Sequence, residues 1–110
     1  MRNNYGDLDA QPTLKTAAEA SGTDAVITIA AEETQFWAID WISWSYGDYP
    51  TDGNLEVKID GVVVWQVDIT SGGPGHLEFM KPLYVQNLNT SVVITLSDGG
   101  TSNKVNVRYR

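Results

Sequence analysis

The chain contains no cysteine. A disulfide framework, a thiolate metal site and a cysteine nucleophile are therefore excluded, and either redox compartment stays open. Cations are scarce: seven Lys and Arg stand against fourteen Asp and Glu, a formal charge of −7. A nucleic-acid backbone calls for clustered Lys and Arg, so nucleic acid is not an expected partner. No apolar run approaches the ~20 residues of a spanning helix, and residues 1–13 lack the apolar stretch of a secretory signal, so no membrane partner is expected. Helix signals are also few. Leu14–Ala20 alone carries helix-forming residues, and Ser21-Gly22 ends that run.

What remains reads as short strands between turn residues. The 110 residues fit one domain, able to bury roughly two-thirds of its unfolded surface. Candidate strands are Ala25–Ala30, Gln35–Tyr46, Leu55–Ile59, Val62–Ile69, His76–Met80, Leu83–Gln86, Ser91–Leu96 and Lys104–Tyr109. Eight strands separated by Gly, Asp, Asn and Pro clusters indicate an all-β fold, here a single-domain, jelly-roll-like β-sandwich of antiparallel strands. A seven-stranded immunoglobulin-type sandwich is disfavoured because its Cys…Trp…Cys pattern is missing. The polar stretch 1–12 reads as an N-terminal arm, with Tyr5 and Leu8 as apolar anchors, and 13–110 as the sandwich domain.

Two segments show how faces are chosen. In the last strand Val105, Val107 and Tyr109 alternate with Lys104, Asn106, Arg108 and Arg110, giving one core face and one wet face. In the hairpin, Leu55, Val57 and Ile59 must meet the stripe Val63, Trp65, Val67 and Ile69. A two-residue Asp60-Gly61 turn would set Glu56 against Trp65. A three-residue loop Ile59-Asp60-Gly61, with Gly61 in a left-handed bulge, pairs Val57 with Val63 and Leu55 with Trp65, and is preferred because a one-residue slip exchanges the faces.

The segment Gln35–Tyr46 is the main clue. Three of the four tryptophans fall within it. Strict alternation places Trp37, Ile39, Trp41, Ser43 and Ser45 on one face and Phe36, Ala38, Asp40, Ile42, Trp44 and Tyr46 on the other. Both faces are then apolar, so something must cover the second. A subunit could pack there through Phe36, Ile42, Trp44 and Tyr46, as in a trimer. A sugar ring could stack there on a platform of Trp44, Tyr46 and Tyr49. Or Leu14–Ala20 could fold over it.

Signals for chemistry are poor. His76 stands alone beside glycines. Gly72, Gly73 and Gly75 around Pro74 read as a turn, and a phosphate cradle would need a following helix and a lysine. Asp48, Asp52 and Asn54 offer oxygen ligands without calcium-loop spacing. Glu32, Glu33, Asp40 and Glu78 are carboxylates with no pairing that spacing reveals. No enzyme, cofactor or metal is expected. Charge is uneven: Asp24–Glu78 holds ten acids and one base, and from Lys81 onward four bases face one acid. Solvated surface explains this, as does complementary contact between subunits or with another protein.

The phrases TDAVITIAAEE, FWAIDWISWSY, GDYPTDGNLEVKIDG, DITSGGPGHLEFMKPLYV and NTSVVITLSDGG, in that order, resemble the small jelly-roll decoration or cement proteins of tailed-bacteriophage capsids. The resemblance spans residues 12–110. It implies a non-enzymatic virion structural protein on the capsid surface, a homotrimer that binds the major capsid protein or another virion protein. The alternative is a carbohydrate-binding module or receptor-binding, lectin-like domain that recognises a surface glycan.

Overall fold

A computed structural model describes residues 13–31, 37–85 and 89–110, with the backbone alone at 80–82, 84 and 85. Eight strands run in chain order: β1 (Thr13–Glu19), β2 (Ala25–Ile29), β3 (Trp37–Tyr46), β4 (Gly53–Ile59), β5 (Val62–Ile69), β6 (Gly73–Val85), β7 (Val92–Leu96) and β8 (Asn103–Tyr109). The described residues contain no helix. The first sheet has the order β1-β8-β3-β6 and the second β2-β7-β4-β5. All pairings are antiparallel. β1 pairs with β8, β2 with β7, β3 with β6 and β4 with β5. The chain thus behaves as one long hairpin, with its tip at Asp60-Gly61, rolled into two facing sheets. This is the expected jelly-roll sandwich.

Alternating residues build the core. Ala25, Ile27 and Ile29 on β2, Leu55 and Val57 on β4, Val92, Ile94 and Leu96 on β7, and Val105, Val107 and Tyr109 on β8 all point between the sheets. Each fully buried aliphatic side chain contributes about 1.5–3 kcal/mol through loss of apolar surface to water. The two open flanks of the sandwich are closed differently. At one, the Lys15 ammonium of β1 donates to the Thr28 carbonyl of β2 at 3.1 Å. At the other, Trp65 of β5 meets Phe79 of β6 edge to face, with ring centroids 6.1 Å apart.

Four sequence expectations change. Leu14–Glu19 is strand, not helix, and it does not fold over β3. Thr13–Glu19 pairs along its whole length with β8, so tertiary pairing outweighs the helix propensity of its alanines and lysine. His76–Met80 and Leu83–Gln86 are not two strands, since Gly73–Val85 is continuous. It tolerates Pro74 and Pro82 because β6 is an edge strand, where a missing N–H costs no ladder bond. The hairpin turn has two residues. Asp60 and Gly61 both take positive φ, 53° and 78°, as a type I′ turn requires. The phase is then reset inside β5: Lys58 pairs with Val63 but Val57 with Trp65, leaving Val64 as an extra residue. Val63 consequently leaves the core stripe.

The fourth change concerns β3. Against β8, Ile39 pairs with Tyr109 and Trp41 with Arg108, so Asp40 is a bulge residue of β3; against β6 the irregularity at the same level lies on β6, where residues 79–82 stand opposite Asp40 alone. Before it the odd positions face inward, and after it the even ones do. Trp37, Ile39, Ile42, Trp44 and Tyr46 all join or pack against the core. The second face keeps Ala38, which is buried, and Trp41, Ser43 and Ser45, which are half-buried. The excess of apolar surface expected from strict alternation is thereby resolved within one chain.

Two substitutions test this packing. Val107 is 0% exposed, and Val107→Asp should abolish cooperative folding by burying an unpaired charge; a melt like that of the parent would refute the face assignment. Gly75 lies opposite Trp44, and a Cβ there would fall within the indole. Gly75→Ala should cost about 1–3 kcal/mol through overpacking, read as a lowered Tm.

Candidate functional site

The outer face of the first sheet is built by register. One row runs Leu14, Arg108, Trp41, Glu78, the next Thr16, Asn106, Ser43, His76, and a third Ala18, Lys104, Ser45, Pro74. The middle row is hydrogen-bonded. Thr16 Oγ1 donates to Asn106 Oδ1 at 2.6 Å, and Asn106 Nδ2 donates to Ser43 Oγ at 3.1 Å. These bonds hold the amide in one orientation. The Trp41 indole leans against the His76 imidazole, with centroids 5.2 Å apart and planes tilted by 48°. Trp41 is half-buried, while Leu14, Thr16, His76 and Glu78 are exposed.

Asp40 anchors the upper end of this face. Its side chain is 12% exposed. Arg110 directs two nitrogens at the same carboxylate oxygen, Nη2 at 3.0 Å and Nε at 3.1 Å, while Arg108 Nε lies 3.9 Å from it. The bulge turns the carboxylate toward the cationic side of β8. Backbone bonds in both directions between Ala38 and Arg110, at 2.9 and 3.0 Å, hold the end of the chain against β3. A carboxylate so engaged with guanidinium groups serves as an ion-pair anchor for Trp41 and Arg108.

The structure places the sequence-derived site residues differently. Tyr46 is 3% exposed, and its phenol donates to the Ser97 carbonyl at 2.8 Å. Ile42 is buried, and Trp44 packs against the core from within. Ile42 and Tyr46 belong to the sandwich interior and Trp44 is half-buried against it, so the three do not make an exposed stacking platform. Of the platform residues only Tyr49 is open to solvent, at 77% exposure, and it stands alone on the β3–β4 loop. Tyr5, Leu8 and Phe36 lie outside the described residues. Sequence reasoning put Trp41 on the opposite face from Trp44, as the structure does, but it chose the wrong one as outward. A bulge was the missing information, and an acid amid aromatics, Asp40, was its one visible sign.

The other sequence candidates serve the loops. Asp48 Oδ1 accepts the Tyr49 N–H at 2.8 Å. The Asp52 carbonyl accepts from Ser97 Oγ, which in turn accepts the Asn54 N–H. Among the described residues no three His, Asp or Glu side chains gather to hold a metal ion. A pocket of about 300 Å³ is lined by Pro50, Asp52, Gly53, Asp68, Ile69 and Thr70, and another of about 290 Å³ by residues around Glu19, Tyr46 and Asn103. Asp40, Glu78 and His76 are among the described lining residues of neither, and Glu32 and Glu33 lie outside the described residues.

No family model and no curated protein matches the chain. Among solved structures it is similar to the carbohydrate-binding module CBM36 in complex with calcium and xylotriose, at TM-score 0.53 and 12% identity over 89% of this chain and 98% of that one. It is similar to the CBM36-1 domain of a multidomain xylanase from the hindgut metagenome of Trinervitermes trinervoides, at TM-score 0.52 and 10% identity over 90% and 94%. It is also similar to the Drosophila NLP-core, a structure concerned with pentamer formation and histone binding, at TM-score 0.51 and 12% identity over 88% and 97%. At such identities these likenesses show a shared sandwich fold.

Burial pushes the Tyr46 phenol above its ordinary pKa, opposed in part by its bond to Ser97, and burial raises Tyr109 as well. The folded state thus holds these protons more tightly than the unfolded chain does. Their stabilisation is complete below the unfolded tyrosine pKa of about 10 and is lost as pH rises through the folded values. Thermal melts above about pH 10 should show a falling Tm. Tyr46→Phe should flatten that fall while costing about 1 kcal/mol at neutral pH through its lost hydrogen bond.

Proposed function

We propose that this domain is a glycan-binding module and that its ligand lies across the outer face of the first sheet. The observation that carries the reading is Trp41, a half-buried indole held on the outer face of the first sheet beside His76, one row from the fixed Thr16–Asn106–Ser43 chain. Sugar rings present apolar C–H surfaces that stack on an indole, and their hydroxyls need fixed donors and acceptors at the rim. Asn106, Ser43, Thr16 and Arg108 supply those within one or two strand spacings of Trp41, each strand standing ~4.8 Å from the next. The rigid sheet holds them in place, so binding costs little ordering of loops. The likeness to two carbohydrate-binding modules supports this reading at the level of fold.

The reading makes the domain a binder without a reaction of its own. It is compatible with the capsid-surface role implied by the bacteriophage resemblance, since a jelly roll displayed on a virion could offer this face to a cell-surface polysaccharide. That role rests on the sequence phrases alone.

A glycan array followed by titration calorimetry tests the proposal. The parent domain should bind at least one oligosaccharide class. Trp41→Ala should weaken that binding about tenfold or more with an unchanged Tm, and Tyr49→Ala should leave it intact. Absence of any glycan ligand, or equal binding by Trp41→Ala, would overturn the proposal.

A further inference from the structure

The pocket of about 290 Å³ lies at the end of the first sheet remote from Asp40. It is continuous with the outer face. Three of its lining residues, Ala18, Lys104 and Ser45, belong to the third row of that face. One rung further, Glu19, Asn103 and Tyr46 stand in register across β1, β8 and β3 and line it too. A backbone bond from the Gly47 N–H to the Ser102 carbonyl, at 2.9 Å, fixes the adjoining wall.

Asn103 sets this pocket apart. It is 3% exposed. Its Nδ2 donates to the carbonyls of Thr23 at 3.0 Å and Thr101 at 3.2 Å, with the Asp98 carbonyl at 3.5 Å. These acceptors fix the amide, because the reverse orientation would set Oδ1 against three carbonyl oxygens. Oδ1 is thereby held in place, and it is a buried acceptor with no partner in the structure. Folded proteins retain few such groups, since each gives up the hydrogen bond it had to water in the unfolded chain.

We infer that this pocket is a second subsite, taking one neutral sugar ring of the same glycan that crosses Trp41. The inference rests on the glycan-binding reading for its ligand class. A sugar hydroxyl donates one hydrogen bond and accepts others, so a ring can satisfy Asn103 Oδ1 while engaging its neighbours. The Glu19 carboxylate offers an acceptor and the Lys104 ammonium a donor in the same pocket. Their charges cancel, which favours a neutral ring over an acidic or basic one. Ala18 and Tyr46 supply apolar wall for the C–H surface. Trp41 and Ser45 lie four residues apart on β3, roughly 14 Å along an extended strand. The ligand is therefore an oligosaccharide running along the strands, past the Thr16–Asn106–Ser43 chain and into the pocket.

Titration calorimetry with a length series of the array-identified oligosaccharide is the test, joined to NMR of the ¹⁵N-labelled protein. Affinity should step up about tenfold at the length that reaches from Trp41 to the pocket. At that length the side-chain amide resonances of Asn103 should move with saturation. Glu19→Ala and Lys104→Ala leave the Asn103 clamp intact. Each should remove most of the step at an unchanged Tm, while Lys58→Ala, on the second sheet, should keep it. Three results would overturn the inference and leave the Trp41 platform standing: a length series without a step, a step that survives both pocket substitutions, or Asn103 resonances silent at saturation, as expected if solvent alone serves its oxygen. Absence of any glycan ligand, or binding indifferent to Trp41→Ala, would overturn the platform and this subsite together.

Discussion

The constraint on which this structure depends is the two-residue period of a β-strand, interrupted once at Asp40. With perfect alternation β3 would divide its large side chains between two faces, and the sandwich would present an aromatic surface to water. One extra residue changes the phase. Trp37 and Ile39 then join Ile42, Trp44 and Tyr46 on the core side, and only Trp41 is turned out. The same residue supplies the carboxylate that Arg110 grips and Arg108 approaches. Core composition, the outward aromatic and the electrostatics of the last strand therefore share one cause.

A second phase change at Val64 plays the corresponding part in the other sheet. The Asp60-Gly61 turn is too short to bring the apolar stripes of β4 and β5 together, and the bulge corrects this at the third residue of β5. Its cost is an exposed valine run at an edge. The two sheets thus end with different surfaces. The first is polar, with one aromatic a row away from the hydrogen-bonded Thr16–Asn106–Ser43 chain. The second is apolar along a single rim.

Much of the fold was legible in the sequence because alternation is a strong signal where nothing interrupts it. Val92, Ile94 and Leu96, and Val105, Val107 and Tyr109, face the core as read, and six of the strands fall within two residues of their expected bounds. The failures have physical reasons. Thr13–Glu19 lacks β-branched residues beyond two threonines, so only its pairing with β8 makes it a strand. Gly73–Val85 contains two prolines that read as breaks until the strand is known to lie at an edge. Bulges leave almost no local trace, and for that reason the candidate site was displaced. The sequence pointed to the correct strand, and to an aromatic on it, but chose Trp44 and Tyr46 where the outward residue is Trp41. Tyr49 was correctly placed in the open, though apart from the other aromatics.

The central claim is that the bulge at Asp40 turns Trp41, alone among the aromatics of β3 described in the structure, toward a glycan ligand. Its most direct test is to follow the indole N–H resonances of the ¹⁵N-labelled protein during titration with an array-identified oligosaccharide. The account predicts that the Trp41 signal moves with saturation while those of Trp37 and Trp44 stay fixed. A response from Trp44 with Trp41 silent would contradict it, because the strand would then present the opposite face.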